Sequence, residues 1–326
     1  MVAAPIIESL REHADVENPI LSVEDIAPIV GRQFVADPFI IQHHDTYYML
    51  FEVNVGGNTE LIIERDGQSI NLLGYIGANI SNRRYTLSYL IEVLRNGLSG
   101  LRNVKREGII GVASSEDGLN WSYEGKALSE STHLAYPYVF SHNGSIYMTP
   151  DKGGKVGEFR IYRATNFPYG WEHIDTPIKK QSLSDPTPLR VDGEWYCFFS
   201  EKQGTSLYHS PHLIEGNWSK HPESPVSTAP HSKRPAGRPI RKDRSIHLFL
   251  QDCENGYGSG INEYKILNLT PESYEHQRLT QESVTGSEEW NKDGIHHIDA
   301  SHKDESLIII DGHINYTYSV GLFEME

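Results

Sequence analysis

The chain has 326 residues, with 44 Asp and Glu against 29 Lys and Arg, and a formal net charge of -15. This acidity argues against a nucleic-acid partner, which requires clustered basic side chains, and against binding to anionic membrane surfaces. No apolar run approaches the ~20 residues of a membrane helix, and the first residues lack the basic start and apolar stretch of a signal peptide. We therefore expect a soluble, cytoplasmic protein without a membrane span.

Five segments of the chain share one pattern. Each has a small or polar start, an apolar strand, a polar turn, a second apolar or aromatic strand and a final acid. They cover residues 36–52, 136–151, 185–201, 237–252 and 296–311. The turns HNGS, VDGE and HKDE contain the Gly, Asn and Asp residues that tight hairpins favour. Each segment is therefore predicted to form a β-hairpin.

An aromatic residue follows each of the first four hairpins at an equivalent place in the pattern. Trp121, Trp171 and Trp218 end three turn motifs and are spaced 50 and 47 residues apart, and Tyr274 takes the equivalent place after the fourth hairpin. Four strands in a unit of ~45–50 residues are typical of a propeller blade. The sequence thus predicts an all-β fold, a five-bladed β-propeller formed by residues 1–326 as a single domain. A β-sandwich is the alternative, but it does not require five equivalent hairpins.

Two parts of the chain depart from the repeat. The tail, 314–325, is predicted to supply strands of the last blade, and the head, 20–30, to pair with it, which would remove exposed sheet edges. About fifty extra residues, 55–107, interrupt the first blade, and apolar residues at helical spacing predict a helix near 83–96. This helical insertion could pack on the propeller flank, form a lid over the channel, or provide a contact for a homo-oligomer.

The ends of the predicted hairpin strands indicate a ligand site. In a propeller the first strand of each blade lines the central channel and the second returns to the same rim, so two rings of residues meet at the funnel mouth. The leading ring contains Asp37, Tyr136, Asp185, Gly237 or Arg238, and His296 or His297. The returning ring contains Glu52, Asp151, Glu201, Asp252 and Asp311. A concave site with convergent polar groups is the default place for a ligand.

Further residues near these rings are predicted to contact a ligand. They are His133, Arg234, Gln251, Tyr257 and Trp290. Aromatic side chains such as Tyr257 are expected to stack on sugar rings, as are Tyr136 and Trp290, whereas Arg234 and Arg238 are expected either to neutralise the acids or to bind the ligand. No metal site and no cofactor are predicted, because zinc signatures and Gly-rich phosphate loops are absent and two adjacent histidines of one strand chelate poorly.

Several phrases resemble known propellers. ADPFI, YPYVF, DPTPL and GIHHID resemble the five-bladed propellers of glycoside hydrolase families 43 and 32. The longer phrases LAYPYVF, RIYRATNFPYGWE, RPAGRP, FLQDCENGYG and WNKDGIHHID resemble more closely the propeller at the N-terminus of plant glucosamine inositolphosphorylceramide transferases. The resemblance covers most of the chain from Asp37 to Asp311, outside the insertion, and implies a carbohydrate or glycoconjugate ligand.

The resemblance to family 43 also implies residue roles. Asp37 matches the general base that activates water, and Asp185 matches the residue that orients the general acid and tunes its pKa. The position of the acid itself reads Ala-Gly-Arg-Pro here, without a carboxylate. Asp252 and Glu201 are therefore the candidates for the general acid, at the 5–9.5 Å separations from the base that glycosidases use.

Three functions remain open from the sequence. The first is a glycoside hydrolase-like enzyme that cleaves or transfers glycosidic bonds. The second is a noncatalytic propeller that binds a glycan or glycan phosphate beside a glycosyltransferase. The third is a scaffold for protein partners, although a scaffold does not need acids at both ends of its inner hairpins.

Overall fold

The computed structural model describes residues 5–26, 32–55, 62–65, 68–71, 107–152, 157–179, 182–301 and 307–325. Apart from two short 3-10 turns, Ile7–Ser9 and Pro230–Ser232, the regular structure of these described residues is entirely β-strand. The chain begins with the short strand β1, Leu10–Glu12. No helix long and apolar enough to cross a membrane occurs in these parts of the chain.

The first two blades follow β1 in chain order. Blade 1 has the order β2-β3-β6-β7 and consists of β2 Arg32–His43, β3 Thr46–Val55, β6 Glu107–Ser115 and β7 Ser122–Leu128. Between β3 and β6 lies a separate hairpin of β4 Ile62–Arg65 and β5 Gln68–Asn71. Blade 2 consists of β8 Ala135–His142, β9 Ser145–Asp151, β10 Glu158–Asn166 and β11 Gly170–Lys179.

The remaining three blades repeat the same antiparallel order. Blade 3 consists of β12 Ser184–Val191, β13 Glu194–Glu201, β14 Gly204–Ser210 and β15 Ser219–Lys220. Blade 4 consists of β16 Arg234–Pro235, β17 Ile240–Lys242, β18 Ser245–Asp252, β19 Gly260–Leu269 and β20 Tyr274–Arg278. Blade 5 consists of β21 Gly294–Ala300, β22 Ile308–Ile314, β23 Thr317–Met325 and the N-terminal β1. The predicted five-bladed propeller is thus confirmed.

The two ends of the chain close the ring in blade 5. Leu10 pairs with Met325 as the outer strand, and farther along the head Leu21 forms an isolated bridge with Val320. The predicted pairing of 20–30 with the tail therefore holds at Leu21, but the closing strand itself is β1. Three residues are too few for a visible alternation of apolar and polar side chains, so β1 has no clear sequence signal.

The aromatic residues after the hairpins anchor turns as expected. The indole Nε1 of Trp121 donates to the Gly118 carbonyl at 2.9 Å, and that of Trp171 donates to the Pro168 carbonyl at 2.7 Å. Trp218 makes the equivalent bond to Leu213 at 3.2 Å. Each anchor leads the chain into the outer strand of its blade.

The insertion of blade 1 is described only in part. Its described residues form the β4–β5 hairpin, and the predicted helix at 83–96 lies outside the described residues. A helical insertion is therefore not supported by the parts of the chain that the structure describes. Val55 pairs with Glu107, so the insertion leaves and rejoins blade 1 just beyond Glu52, at the rim where β3 ends.

Candidate active site

The first strands of blades 1 to 4 bend at equivalent positions. Asp37, Tyr136 and Asp185 have φ values of 50°, 46° and 54°, and Gly237 has 117°. In blades 1 to 3 a proline follows, and the strand pairing is interrupted by a register shift at this point. A left-handed φ is costly for residues other than glycine, and such strain concentrates at functional sites. The bends therefore place Asp37 and Asp185 at equivalent positions of their blades, at the end of the channel.

The two predicted rings of residues meet through hydrogen bonds from backbone N–H groups to side-chain carboxyl groups. The Asp37 N–H donates to Asp311 Oδ2 at 2.9 Å, which joins blade 1 to blade 5. The Asp185 N–H is bound in the same way by the carboxylate of Asp151, which joins blade 3 to blade 2. The final acid of one blade thus supports the strained first residue of the next blade at two places in the ring.

Asp37 lies in a buried cluster of acids and histidines. Its Oδ1 is 3.7 Å from His296 Nε2 and 3.6 Å from His297 Nδ1. Burial raises the pKa of Asp37 to about 7, with a contribution from the charge of Asp311, while the charge of His296 opposes this rise. Near neutral pH the carboxyl of Asp37 is therefore divided between its ionised and protonated forms.

His296 and Asp311 form a buried ion pair beside Asp37. His296 Nδ1 is 2.7 Å from Asp311 Oδ1. Burial disfavours both charges, but their mutual attraction and hydrogen bond outweigh it, so the pKa of His296 is raised and that of Asp311 is lowered. The ring of His296 also stacks on Tyr318 with 4.4 Å between centroids. The pair holds His296 with its Nε2 toward Asp37.

Two other carboxyl groups of the returning ring have raised pKa values. Burial raises the pKa of Asp151 to about 8, and the charge of Asp185 adds to this. Burial, together with the charge of Asp37, raises the pKa of Glu52 well above its ordinary range. His133 Nε2 lies 3.5 Å from Glu52 Oε1, and burial lowers the pKa of this histidine. Buried, protonated carboxyls next to an ionisable one provide the pair of groups that acid–base catalysis needs.

The two arginines of the RPAGRP phrase have different surroundings. Arg234 Nη2 donates to Asp185 Oδ1 at 2.8 Å, and its guanidinium lies 5.0 Å from the ring centre of the half-exposed Tyr257. Arg238 is only 2 % exposed and pairs with Asp299 at 2.6 Å. Arg234 and Tyr257 therefore lie at the funnel, whereas Arg238 belongs to the propeller core and is not placed to contact a ligand.

Glu201 and Asp252, which the sequence suggested as general acids, form hydrogen bonds with residues outside the Asp37 cluster. Glu201 accepts hydrogen bonds from the Tyr208 hydroxyl at 2.9 Å and from Lys220 Nζ at 3.0 Å, both on outer strands of blade 3. Asp252 accepts the Glu254 N–H at 2.8 Å and lines a separate polar cavity of about 320 Å³ in blade 4. Neither side chain is among the main charges acting on Asp37.

Four further predicted contacts are structural in this arrangement. Tyr136 is fully buried, and its hydroxyl accepts the Gly237 N–H at 2.9 Å. His297 is packed edge-on against Phe39, and burial lowers its pKa to about 3. The other two form internal hydrogen bonds: Gln251 Nε2 to the Pro235 carbonyl and Trp290 Nε1 to Glu12 Oε1. Tyr136 and Trp290 are therefore not arranged to stack on a sugar.

One group among the described residues has the spacing of a metal site. The ligand atoms of Asp37, His296 and Asp311 lie within 4.8 Å of one another. However, His296 Nδ1 is bonded to Asp311 Oδ1, and Asp311 Oδ2 accepts the Asp37 N–H. His296 Nδ1 and the Asp311 carboxylate thus take part in a hydrogen-bond network, while His296 Nε2 and Asp37 Oδ1 face each other at 3.7 Å.

Sequence reasoning missed the partner that fixes Arg238. Asp299 follows His297 by two residues on β21 and is fully buried, where it also accepts the Ile40 N–H at 2.7 Å. The alternation in HHIDA places residues 297 and 299 on the same strand face, and this was the available signal. The protonation of Asp151 had no such signal, because it depends on burial in the assembled ring.

Comparison with known proteins gives one matching family. Residues 100–313 match the family model described as "Glucosamine inositolphosphorylceramide transferase 1, N-terminal". The chain is similar to proteins named glucosamine inositolphosphorylceramide transferase 1 from Oryza sativa subsp. indica, with 31% identity over 301 residues, and from Arabidopsis thaliana, with 32% over 313 residues. These matches cover 87% and 91% of this chain but 34% of each relative. The chain thus spans about a third of the length of these curated relatives.

Solved structures share the architecture at low sequence identity. A β-1,2-mannobiose phosphorylase from Listeria innocua has 13% identity and a TM-score of 0.66, with 97% of this chain and 96% of that chain covered. A family 117 glycoside hydrolase from Zobellia galactanivorans has 14% identity and a TM-score of 0.57, with 89% and 84% covered. At such identities the likeness establishes the fold alone.

Proposed function

Because the chain belongs to the family of glucosamine inositolphosphorylceramide transferase 1 N-terminal domains, we propose that its propeller binds a carbohydrate in the funnel and cleaves or transfers a glycosidic bond there. The observation that carries this proposal is the pair of Asp37 and Asp151. Both are buried, and their carboxyl pKa values are raised to about 7 and about 8. Near neutral pH one can be ionised while the other is protonated.

In the proposed reaction Asp37 acts as the general base. Its ionised carboxylate takes a proton from the attacking water, and His296 stabilises that ionised form from 3.7 Å. Asp151 acts as the general acid and gives its proton to the leaving oxygen of the glycosidic bond. Glu52, whose carboxyl pKa burial raises well above its ordinary range, is the alternative proton donor in this role. This assignment replaces Asp252 and Glu201, whose carboxylates have other partners.

Asp185 is proposed to position the acid. Its backbone N–H donates to a carboxyl oxygen of Asp151, while its side chain is paired with Arg234. The charge of Asp185 also helps to keep Asp151 protonated. Arg234 in turn lies against Tyr257, the half-exposed aromatic of the funnel that remains suited to stacking on a sugar ring.

The names of the similar proteins support a carbohydrate ligand. Structural neighbours are named as a phosphorylase and a glycoside hydrolase, and the curated relatives are named glucosamine inositolphosphorylceramide transferase 1. A fold hosts many functions, so the assignment of a reaction has to rest on the site itself. A cytoplasmic location and a homo-oligomer through the insertion stay predictions from the sequence.

A binding role beside a glycosyltransferase is the second candidate. The observation that favours it is length, since the chain spans 34% of relatives that are named transferases. The remaining two thirds of those relatives leave room for a separate catalytic domain. In that case the funnel would hold a glycan without cleaving it.

A turnover screen with matched variants tests the proposal. Wild-type protein, Asp37→Asn and the control Glu201→Gln are incubated with a panel of disaccharides and aryl glycosides, with and without inorganic phosphate. We expect one class of glycoside to be cleaved by wild type and Glu201→Gln and at least about 100-fold more slowly by Asp37→Asn. Binding of a glycan by calorimetry without any turnover would instead support the binding role, and full activity of Asp37→Asn would contradict the role of Asp37.

A further inference from the structure

We propose that Tyr316 is an outer aromatic platform of the funnel, which stacks on the second sugar ring of a ligand whose first ring lies beside Tyr257. The ligand is then a saccharide of at least two rings. This inference rests on the proposed function and states how far the binding site extends beyond the reacting sugar. It is based on the exposure, the backbone conformation and the ring contacts of Tyr316.

Tyr316 lies at the funnel rim, in the turn that joins β22 to β23. Ile314 pairs with Thr317, so the turn has only two residues, and it follows Asp311 of the returning ring on the same strand. Tyr316 is 61 % exposed, the largest value among the exposed large hydrophobic side chains of the described residues. An aromatic ring at the mouth of a concave polar site is available to a ligand.

The backbone of this turn does not favour a tyrosine. Asn315 and Tyr316 have φ values of 50° and 61°, the two positive values of a type I′ turn, whose second place favours glycine. A left-handed φ is strained for an aromatic residue, and such strain concentrates at functional sites. The side chain of Tyr316 therefore serves something other than the stability of the turn.

The ring of Tyr316 is fixed with one face covered. It stacks on His313 with an interplanar angle of 10° and 5.2 Å between centroids, and the Tyr316 N–H donates to His313 Nδ1 at 3.3 Å. The Asn315 N–H donates to Asp293 Oδ2 at 2.7 Å and anchors the turn. Because His313 covers one face of a mostly exposed ring, the opposite face is open to solvent. A fixed, open aromatic face is a surface on which a sugar ring can stack.

A series of ring contacts connects Tyr316 with the proposed catalytic base. His313 packs against Tyr318 at 4.7 Å, and Tyr318 stacks on His296 at 4.4 Å. His296 Nε2 in turn faces Asp37 Oδ1 at 3.7 Å. The Tyr318 hydroxyl is buried and has no hydrogen-bond partner among the described residues, so a ligand hydroxyl would satisfy it. The platform is therefore continuous with the funnel and lies outward from Asp37.

A loop of blade 4 holds Tyr257 next to this series. Tyr257 is 41 % exposed and packs edge-on against His296 at 5.2 Å. Gly256, the residue before it, lies against Tyr316, whose hydroxyl is 3.8 Å from the place that a Cβ atom on this glycine would occupy. The two exposed tyrosines thus border one part of the rim, with Tyr257 nearer the base and Tyr316 farther out. This arrangement suits two successive sugar rings.

Calorimetry with one-ring and two-ring sugars tests the inference. The probes are methyl glycosides of glucose, mannose and galactose, each paired with disaccharides that carry the same sugar at the nonreducing end. All proteins carry Asp37→Asn, so that the disaccharides stay intact. We expect Tyr316→Gly to weaken binding of the best disaccharide about five- to tenfold, while the affinity for its methyl glycoside changes less than about twofold.

Matched variants separate stacking from a structural role. Tyr316→Phe keeps the ring and should keep the affinity, as should Tyr169→Ala, which removes a 47 % exposed tyrosine from the turn between β10 and β11. Tyr316→Gly should unfold at no lower urea concentration than its parent, because glycine adopts the left-handed backbone without strain. Tyr316→Asn, which also tolerates this backbone, should repeat the loss of affinity.

The outcomes distinguish this inference from the proposed function. Unchanged affinity of Tyr316→Gly and Tyr316→Asn for the disaccharide would overturn the platform and leave the carbohydrate function standing. An equal loss of affinity for the methyl glycoside would also overturn it, because Tyr316 would then act on the first ring. Absence of binding by every sugar in the panel, with the folded state verified by circular dichroism, would count against both.

Discussion

Asp37 and Asp185 are equivalent residues of blades 1 and 3, and each is held in a left-handed backbone conformation by the last acid of the preceding blade in the ring. Their φ values are 50° and 54°, and their N–H groups bind Asp311 and Asp151, respectively. Glycine would adopt this conformation with less strain. That an aspartate occupies it in two blades indicates that the carboxyl group at this position matters more than the local stability.

Replacement of Asp37 should reveal the strain. We expect Asp37→Gly to be more stable than Asp37→Ala by about 1 kcal/mol, because alanine pays the cost of the left-handed backbone and glycine does not. Urea unfolding monitored by tryptophan fluorescence measures this difference. Equal stability of the two variants would mean that the backbone relaxes and that the site stores no strain.

The rate of the proposed reaction should depend on pH in a bell shape around neutrality. Asp37 must be ionised and Asp151 protonated, and their pKa values are raised to about 7 and about 8. The value of kcat/KM should therefore rise toward about pH 7 and fall above about pH 8. An optimum near pH 4 to 5, where ordinary carboxyl groups titrate, would contradict the acid and base assignments.

Folding stability should decrease as the pH rises from about 5 to 8. Asp151 has a raised pKa in the folded state, so the folded protein binds more protons than the unfolded chain over this range. One such carboxyl adds up to about 1.4 kcal/mol per pH unit to the decline. Asp151→Asn should therefore stabilise the protein more at pH 7.5 than at pH 5, measured by urea unfolding. A variant with the same pH slope as wild type would show that Asp151 is ionised in the fold.

The buried pair of Arg238 and Asp299 should contribute to stability and not to ligand affinity. Removal of one partner, as in Arg238→Ala, leaves an unpaired buried charge and is expected to cost about 3–5 kcal/mol. The double variant Arg238→Met/Asp299→Leu should lose much less, since no charge is left behind. Unfolding by urea distinguishes the two. If Arg238→Ala folded with unchanged stability but lost sugar binding, Arg238 would be a ligand contact after all.

The hairpins and their order could be predicted from the sequence because apolar alternation, turn residues and spaced tryptophans are local signals. The partner that each acidic side chain binds could not be predicted in this way. Glu201 and Asp151 end equivalent strands, yet Glu201 is bound by Tyr208 and Lys220 whereas Asp151 supports Asp185. That difference depends on which neighbouring strand offers a donor, which only the assembled blades determine.

The same reasoning applies to the two arginines. Arg234 and Arg238 lie four residues apart in one phrase, and the chain between them bends at Gly237, where a side chain would meet the Ile298 carbonyl. The bend directs Arg238 to Asp299 in the core and leaves Arg234 with Asp185 at the funnel. The four-residue spacing alone does not predict that the two arginines have different surroundings.

Chemical rescue of Asp37→Gly tests the central claim most directly. The variant removes the proposed base without backbone strain, and a small anion such as azide can occupy the space and attack the sugar in place of the activated water. We expect cleavage of the best glycoside from the screen to fall at least about 100-fold and to recover on addition of azide, with a glycosyl azide as product. Cleavage at the wild-type rate without azide would contradict the assignment of Asp37 as the general base.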